Sequence, residues 1–338
     1  MKLWFGKGAW ASPKAVQRIG SLSPETVRRI AVIRHAALGD MILTRPFLKE
    51  VRRCFPNAHI TLSIVTNYTR GVPDDLVDNV HIAYGKDRKD VSFREQIKKA
   101  RELGEQDIIF DLAATHRSFW ICMLHREAIR VGFPTHRLQR KLFYDVTILR
   151  SDLNFETDCL LDMLNLFGFT TTYPPPFDLP GEIRKSERPY IVYFTSTSTP
   201  IRCWPMDHFA ELVRQCASQY AGFDHFVLKG LGEWETIDEI LNYNQDQKNV
   251  EGLDINSLDE TIALIKGARL VVSNDTGIRH LSIAAGVASV GIFFASDRFT
   301  CLPFRYWPRY GPHKIVVNTD GTPPSVEMVR QAMQALLD

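Results

Sequence analysis

The residues best suited to chemistry stand where short apolar runs give way to small polar turns. The run Leu270-Val271-Val272-Ser273-Asn274-Asp275-Thr276-Gly277-Ile278-Arg279-His280-Leu281 goes from a buried-strand pattern straight into a helical one. Asp275 or Thr276 can cap that helix. Backbone N–H groups at Thr276 and Gly277, added to the positive helix end, would cradle a diphosphate. Gly277 allows an anion to approach the backbone closely, and His280 lies one turn further along. A capped strand–helix junction with no ligand is the structural alternative. Gly39-Asp40 follows the first apolar run. A carboxylate there can take the proton of an attacking sugar hydroxyl, or serve only as a helix cap.

A third segment, Thr195-Ser196-Thr197-Ser198-Thr199-Pro200-Ile201-Arg202-Cys203-Trp204-Pro205, sets five hydroxyl residues before an arginine. The hydroxyls are hydrogen-bond donors, and the guanidinium fork of Arg202 suits a phosphate. Trp204-Pro205 would anchor this loop to a core. Lys229-Gly230-Leu231-Gly232-Glu233-Trp234-Glu235 resembles a dinucleotide fingerprint but has Glu235 where the third glycine belongs, which disfavours a nicotinamide dehydrogenase. No Walker A, HExxH, GxSxG or paired CxxC sequence occurs, so P-loop hydrolysis and zinc hydrolysis lack support. Between His116 and Lys141 stand Arg117, Arg126, Arg130, Arg137, Arg140 and Lys141 against the single acid Glu127, with His125 and His136 among them. This stretch is either a solvated basic face or a patch for an acidic acceptor such as a phosphorylated lipid.

The elements that would position these residues alternate strand and helix. Strands are expected at 29–35, 59–65, 107–112 and 129–133, with helices at 41–55, 95–103, 118–125 and 156–167. After Pro174-Pro175-Pro176 a second series begins. Its strands are expected at 190–194, 225–228, 270–273 and 289–294, and its helices at 208–220, 236–243, 258–266, 277–285 and 326–337. Short β-branched runs separated by helical spacing imply parallel sheets of the doubly wound kind. In such sheets ligands sit off the carboxyl ends of the strands, here expected in a cleft between the halves. The divisions are an N-terminal extension (1–29), a first Rossmann-like domain (30–176), a linker (177–189), a second Rossmann-like domain (190–322) and a C-terminal helix (323–338) expected to pack back on the first domain. Trp4, Phe5, Lys7, Trp10 and Lys14 give the extension an aromatic-basic pattern that could rest on a membrane surface.

The 338 residues carry a net charge of +2, with 45% hydrophobic and 24% charged residues, which excludes a disordered chain and implies no nucleic-acid partner. The six cysteines show no pairing pattern, so a disulfide framework and a structural zinc site are not expected. No apolar run approaches the ~20 residues of a membrane span, and the N-terminus lacks a signal-peptide core; a cytoplasmic protein is expected.

With these residues in view, IAVIRHAALGDMILTRPFLKEVRRCFPNAHI, FTSTSTPIRCWPMDHFAEL and LVVSNDTGIRHLSIAAGVASVGIF resemble the ADP-heptose–lipopolysaccharide heptosyltransferases, glycosyltransferase family 9, of GT-B fold. The likeness runs from about Ile30 to the last helix, with the G-D turn and the D-T-G-x-x-H-L block in order and in opposite halves. The resemblance implies an inverting, metal-independent transfer from an ADP-sugar, with no cofactor. Asp40 takes the place of the catalytic base, and Arg202 that of a basic residue offsetting charge on the leaving diphosphate. Thr197, Ser198, Asp275, Thr276, Gly277 and His280 match the donor side, joined by Glu233 or Glu235 near the ribose and Asn256 at the base pocket. Arg117-Ser118 matches the acceptor side, to which Gly39, His116, Arg137 and Arg140 are added. Ala36, Ala37, Leu43, the turn Ala295-Ser296-Asp297-Arg298 and Asn256 depart from the family's usual residues.

The expected activity is transfer of a heptose or related sugar to a lipopolysaccharide core or other surface glycan, with a phosphorylated glycolipid or core oligosaccharide as acceptor. The expected place is the inner face of the cytoplasmic membrane, as a peripheral protein. A GT-B sugar-nucleotide epimerase, which would need no acceptor, and a non-catalytic nucleotide-sugar-binding protein are the alternatives.

Overall fold

The computed structural model describes residues 9–133, 141–295 and 304–338. The chain divides into two compact units, Met1–Pro176 and Phe177–Asp338.

The first unit is built on seven strands: β1 (Trp10–Ala11), β2 (Arg29–Ile33), β3 (His59–Val65), β4 (Asn79–Ala83), β5 (Ile108–Asp111), β6 (Ile129–Gly132) and β7 (Val146–Thr147). Their order is β1-β7-β6-β5-β2-β3-β4, parallel throughout except for β1 against β7. Strand β2 shows why both faces are covered. Ile30 and Val32 join one apolar cluster, while the alternate residues Ala31 and Ile33 join another. The helices are α1 (Pro13–Gly20), α2 (Leu38–Leu43), α3 (Arg45–Cys54), α4 (Phe93–Arg101), α5 (His116–Leu124) and α6 (Glu156–Asn165).

Two expectations change here. The continuous helix expected over 41–55 is interrupted at Thr44, because Pro46 has no N–H to donate and its ring would strike the carbonyl four residues back. The 1–29 extension is not separate from Trp10 onward. Strand β1 pairs with β7, and Ser12 caps α1 by accepting from Ala15 N at 3.1 Å, which seats Ala15 in the first core.

The second unit holds β8 (Tyr190–Phe194), β9 (Asp224–Leu228), β10 (Val250–Leu253), β11 (Leu270–Asn274), β12 (Ser289–Phe293) and β13 (His313–Val317). They form one parallel sheet in the order β10-β9-β8-β11-β12-β13. Helices α7 (Met206–Gln219), α8 (Asp238–Tyr243), α9 (Leu258–Gly267), α10 (Gly277–Ala284) and α11 (Val326–Leu337) accompany it. The C-terminal helix α11 packs on this second sheet, since Val329 and Met333 enter the second unit's core beside Val290 and Ile292. The 177–189 stretch is likewise held by the second unit. Phe177 and Leu179 are buried, Arg184 N donates to Ala263 O at 2.9 Å, and Lys266 Nζ to Leu179 O at 3.2 Å.

Strands β1, β4, β7, β10 and β13 were not expected from the sequence. Four of them are sheet edges, where one side faces solvent and residues such as Glu251 and Lys314 interrupt the apolar pattern.

Candidate active site

Each sheet reverses its winding at one place, and the chemistry-bearing loops leave the sheet there. In the first unit the reversal lies between β2 and β5. The loop after β2 carries Gly39 and Asp40; the loop after β5 leads to His116 and Arg117. In the second unit it lies between β8 and β11, whose loops carry Thr197 to Arg202 and Asp275 to Gly277. These crevices at carboxyl ends of strands are where doubly wound sheets bind ligands.

Asp40 sits in the first turn of α2, but it is not the helix cap; Ala37 holds that position without a side-chain bond. Its carboxylate is one-quarter exposed and accepts from Arg34 Nη2 at 2.9 Å. Arg34 is buried and also donates to Leu112 O at 2.9 Å and to Glu156 Oε1 at 3.0 Å. Glu156, fully buried, accepts in turn from Arg150 at 2.5 and 2.6 Å. Burial opposes the charge on Arg150, but Glu156 beside it outweighs this and raises its pKa. The result is a chain of two cations and two anions whose outer end is Asp40. Sequence reading missed Arg34, Glu156 and Arg150. An arginine directly after an apolar strand and a glutamate opening an apolar helix were the available signals.

On the acceptor side the structure separates the candidates. His116 is exposed and Arg117 half-buried, with no ion-pair partner for Arg117 among the described residues. Ser118 is not on the surface. It is fully buried in a capping box, its Oγ accepting from Thr115 N at 2.8 Å and donating to Thr115 O at 2.9 Å. Arg137 and Arg140 lie outside the described residues. The turn that aims α5 depends on another residue missed in the sequence, Asp111. Its Oδ1 accepts from Ala113 N and Ala114 N at 3.0 Å each, and its Oδ2 from Tyr144 OH at 2.7 Å. This holds Ala114 at a φ of 49°, a left-handed conformation that alanine adopts only when its surroundings impose it. Burial pushes the Asp111 carboxyl pKa up, against the opposing effect of the Tyr144 hydrogen bond.

On the second unit, Thr276 is the N-cap residue of α10 by backbone geometry, yet no side chain caps the helix and no acid lies in its first turn. The Thr276 hydroxyl is buried without a hydrogen-bond partner among the described residues. His280 Nε2 lies 3.7 Å from Asp275 Oδ1. Asn274, the last residue of β11, ties this turn to its neighbour: its Nδ2 donates to Thr195 O at 2.6 Å, and its Oδ1 accepts from Trp204 N at 3.0 Å. Trp204 is buried and donates from Nε1 to Pro324 O at 2.8 Å, which fixes the far end of the hydroxyl loop. Within that loop Thr197 is buried and donates to Thr199 O at 2.6 Å, while Ser198 and Arg202 are exposed. Arg202 has no ion-pair partner among the described residues.

Glu233 and Asn256 line one hollow of about 340 Å³ beyond β9 and β10, closed on one side by the Lys229–Asp254 pair at 2.7 Å. Glu235 instead turns back on its own loop and accepts from Gly232 N at 3.1 Å. A Cβ at Gly230 would collide with that carboxylate, so the loop needs glycine there. Cys54, Cys122, Cys159, Cys203 and Cys216 are free thiols. Among the described residues no helix is long and apolar enough to cross a membrane, and no group of three or more His, Cys, Asp or Glu is placed to hold a metal ion.

Comparison with known proteins follows the same lines. Lipopolysaccharide heptosyltransferase 1 of Campylobacter coli is 22% identical over 295 residues, covering 80% of this chain and 85% of that protein. Lipopolysaccharide heptosyltransferase 2 of Escherichia coli (strain K12) is 29% identical over 118 residues, 33% of each chain. Among solved structures, the E. coli heptosyltransferase WaaC with ADP superimposes with a TM-score of 0.73 at 17% identity, covering 91% of this chain and 99% of that one; it shares the fold. The profile of glycosyltransferase family 9 (heptosyltransferase) matches residues 97–331, and the chain belongs to that family: it is a glycosyltransferase on two Rossmann-like sheets of the GT-B kind.

Proposed function

We propose that this enzyme transfers a heptose from ADP-heptose to a sugar hydroxyl of a lipopolysaccharide core, inverting the anomeric centre and using no metal ion. The observation that carries the reading is the uncapped N-terminus of α10 at the switch point of the second sheet, with the hydroxyl loop and Arg202 beside it. Free N–H groups and a positive helix end suit a diphosphate. The curated relatives are lipopolysaccharide heptosyltransferases, and the WaaC structure was solved with ADP.

In this mechanism Asp40 removes the proton from the acceptor hydroxyl as its oxygen bonds to the anomeric carbon. The bond from that carbon to the diphosphate oxygen breaks, and ADP leaves with the electron pair. Arg202 and the α10 N–H groups offset the charge that develops on the diphosphate. Arg34 holds the Asp40 carboxylate in place. Glu233 and Asn256 face the nucleoside end of the donor, and His116 and Arg117 a phosphorylated acceptor.

The acceptor lies at the inner face of the cytoplasmic membrane, with the enzyme peripheral to it. Phe93 and Trp120, 57% and 40% exposed, stand edge-to-face at 5.2 Å between α4 and α5. Arg117 lines the same hollow as these two rings and has no ion-pair partner among the described residues, a combination suited to anionic headgroups.

The test is Asp40→Asn assayed with ADP-heptose and a core acceptor. Transfer should fall by about 10²–10⁴-fold while ADP binding persists. Turnover within a few-fold of the parent enzyme would remove Asp40 as the base. Undiminished transfer in EDTA is expected, and a metal requirement would overturn the metal-free assignment.

A further inference from the structure

Arg279 lies in the first turn of α10 and is fully buried. Its Nη2 stands 3.3 Å from Asp275 Oδ1 and donates to Tyr306 O at 2.5 Å. The guanidinium lies over the Phe293 ring, 4.9 Å from its centroid. Its Nε and Nη1 find no acceptor among the described residues. Strand β12 makes room for the arm: a Cβ on Gly291 would come within 2.8 Å of Arg279 Cδ.

As packing alone this arrangement is unfavourable. A buried guanidinium with unused N–H groups costs several kcal/mol that a methionine there would not. A cation at a helix N-terminus also opposes the macrodipole. Burial correspondingly lowers the Arg279 pKa, and Asp275 opposes that shift.

The neighbouring carboxylate makes sense of the arrangement. Asp275 precedes the N-cap residue, so it is a natural anionic partner for the free N–H groups of α10. Were it to cap them, it would occupy the place of a diphosphate with the same charge. No side-chain cap is present, and Asp275 Oδ1 is instead engaged by Arg279, with His280 behind it.

We propose that Arg279 is a positioning residue of the donor site, which draws the Asp275 carboxylate away from the α10 N-terminus and so keeps those N–H groups for the donor diphosphate. The inference rests on the donor-site reading above. Arg279 itself touches no donor atom; it acts through Asp275. Gly291 belongs to the same device, because it gives the arm its path.

The experiment is calorimetric titration of the full-length protein with ADP. Arg279→Met should weaken ADP at least tenfold, and adding Asp275→Asn to it should recover most of that loss, because the competing charge is gone. Gly291→Ala keeps the charge but displaces the arm, and should weaken ADP in the same direction. Arg279→Lys, should the methionine variant fail to fold, keeps a cation on a shorter arm without the Nη2 that reaches both Asp275 and Tyr306, and should give an intermediate loss. ADP affinities within twofold of the parent in folded Arg279 and Gly291 variants overturn the inference, as does failure of Asp275→Asn to restore binding. If the parent protein binds ADP and these variants bind it equally, the inference falls and the donor site stands. If the parent does not bind ADP at all, both fall.

Discussion

Glutamine in place of Glu156 removes one of the two anions in the buried chain Asp40–Arg34–Glu156–Arg150 while keeping the shape of the side chain. Among the described residues the chain holds two charges of each sign; the variant leaves two arginines to the Asp40 carboxylate. At an effective dielectric of about 20, a contact of this kind is worth roughly 4 kcal/mol before desolvation. Glu156 makes two such contacts and is itself fully buried. The expected net loss is that of breaking a buried pair, about 3–5 kcal/mol. For a unit of this size that lowers Tm by roughly 6–20 °C. Urea denaturation followed by far-UV circular dichroism measures the loss. The charge argument also predicts non-additivity. Arg150→Met with Glu156→Leu removes one charge of each sign and leaves the Arg34–Asp40 pair. That double variant should be more stable than Glu156→Leu alone, by about 2 kcal/mol or more. A double variant whose loss equals the sum of its singles within about 0.5 kcal/mol would refute the claim that the four groups form one coupled unit.

Asp111→Ala removes both backbone N–H acceptors behind Ala114 and the partner of Tyr144, and should cost about 2–4 kcal/mol in urea denaturation; a loss below 1 kcal/mol would contradict its role in holding the turn. Asn274→Ala cuts both ties between β11 and the hydroxyl loop, so ADP affinity should fall alongside a stability loss of about 1–3 kcal/mol, and unchanged ADP binding would show that the loop does not need the tie. His225 and His313 are each held down to about 4 by burial, with Arg279 adding to the effect at His313. The unfolded chain binds those protons from about pH 6.5 downward while the folded chain does not. The second unit should therefore keep its full stability above pH 6.5 and lose it between pH 6.5 and 4, by roughly 3 kcal/mol per histidine, and His225→Gln should flatten that slope. Phe93→Ser with Trp120→Ser should abolish sedimentation with phosphatidylglycerol-rich vesicles and leave transfer to a soluble core oligosaccharide intact; undiminished sedimentation would put the membrane contact elsewhere.

The doubly wound character of both halves was legible in the chain, because the runs 30–33 and 270–272 are apolar at every position, as strands buried on both faces must be. So were the G-D and D-T-G turns, since small polar residues between a strand and a helix have few other uses. What the chain alone determined about this protein is thus local: which runs are strands, which turns bear a carboxylate or free N–H groups, and a family-specific order of motifs. The tertiary structure decided which of those turns are neighbours. Strand order put the loop after β8 beside the one after β11, although they lie some eighty residues apart, and Asn274 joined them. It turned Ser118 inward, folded Glu235 onto its own glycines and sent α11 to the second sheet. It also assembled Arg34, Glu156 and Arg150 behind Asp40. Hydrogen bonds and charge pairs form between whatever groups the packing of distant elements brings within about 3 Å, and no spacing along the chain encodes that distance.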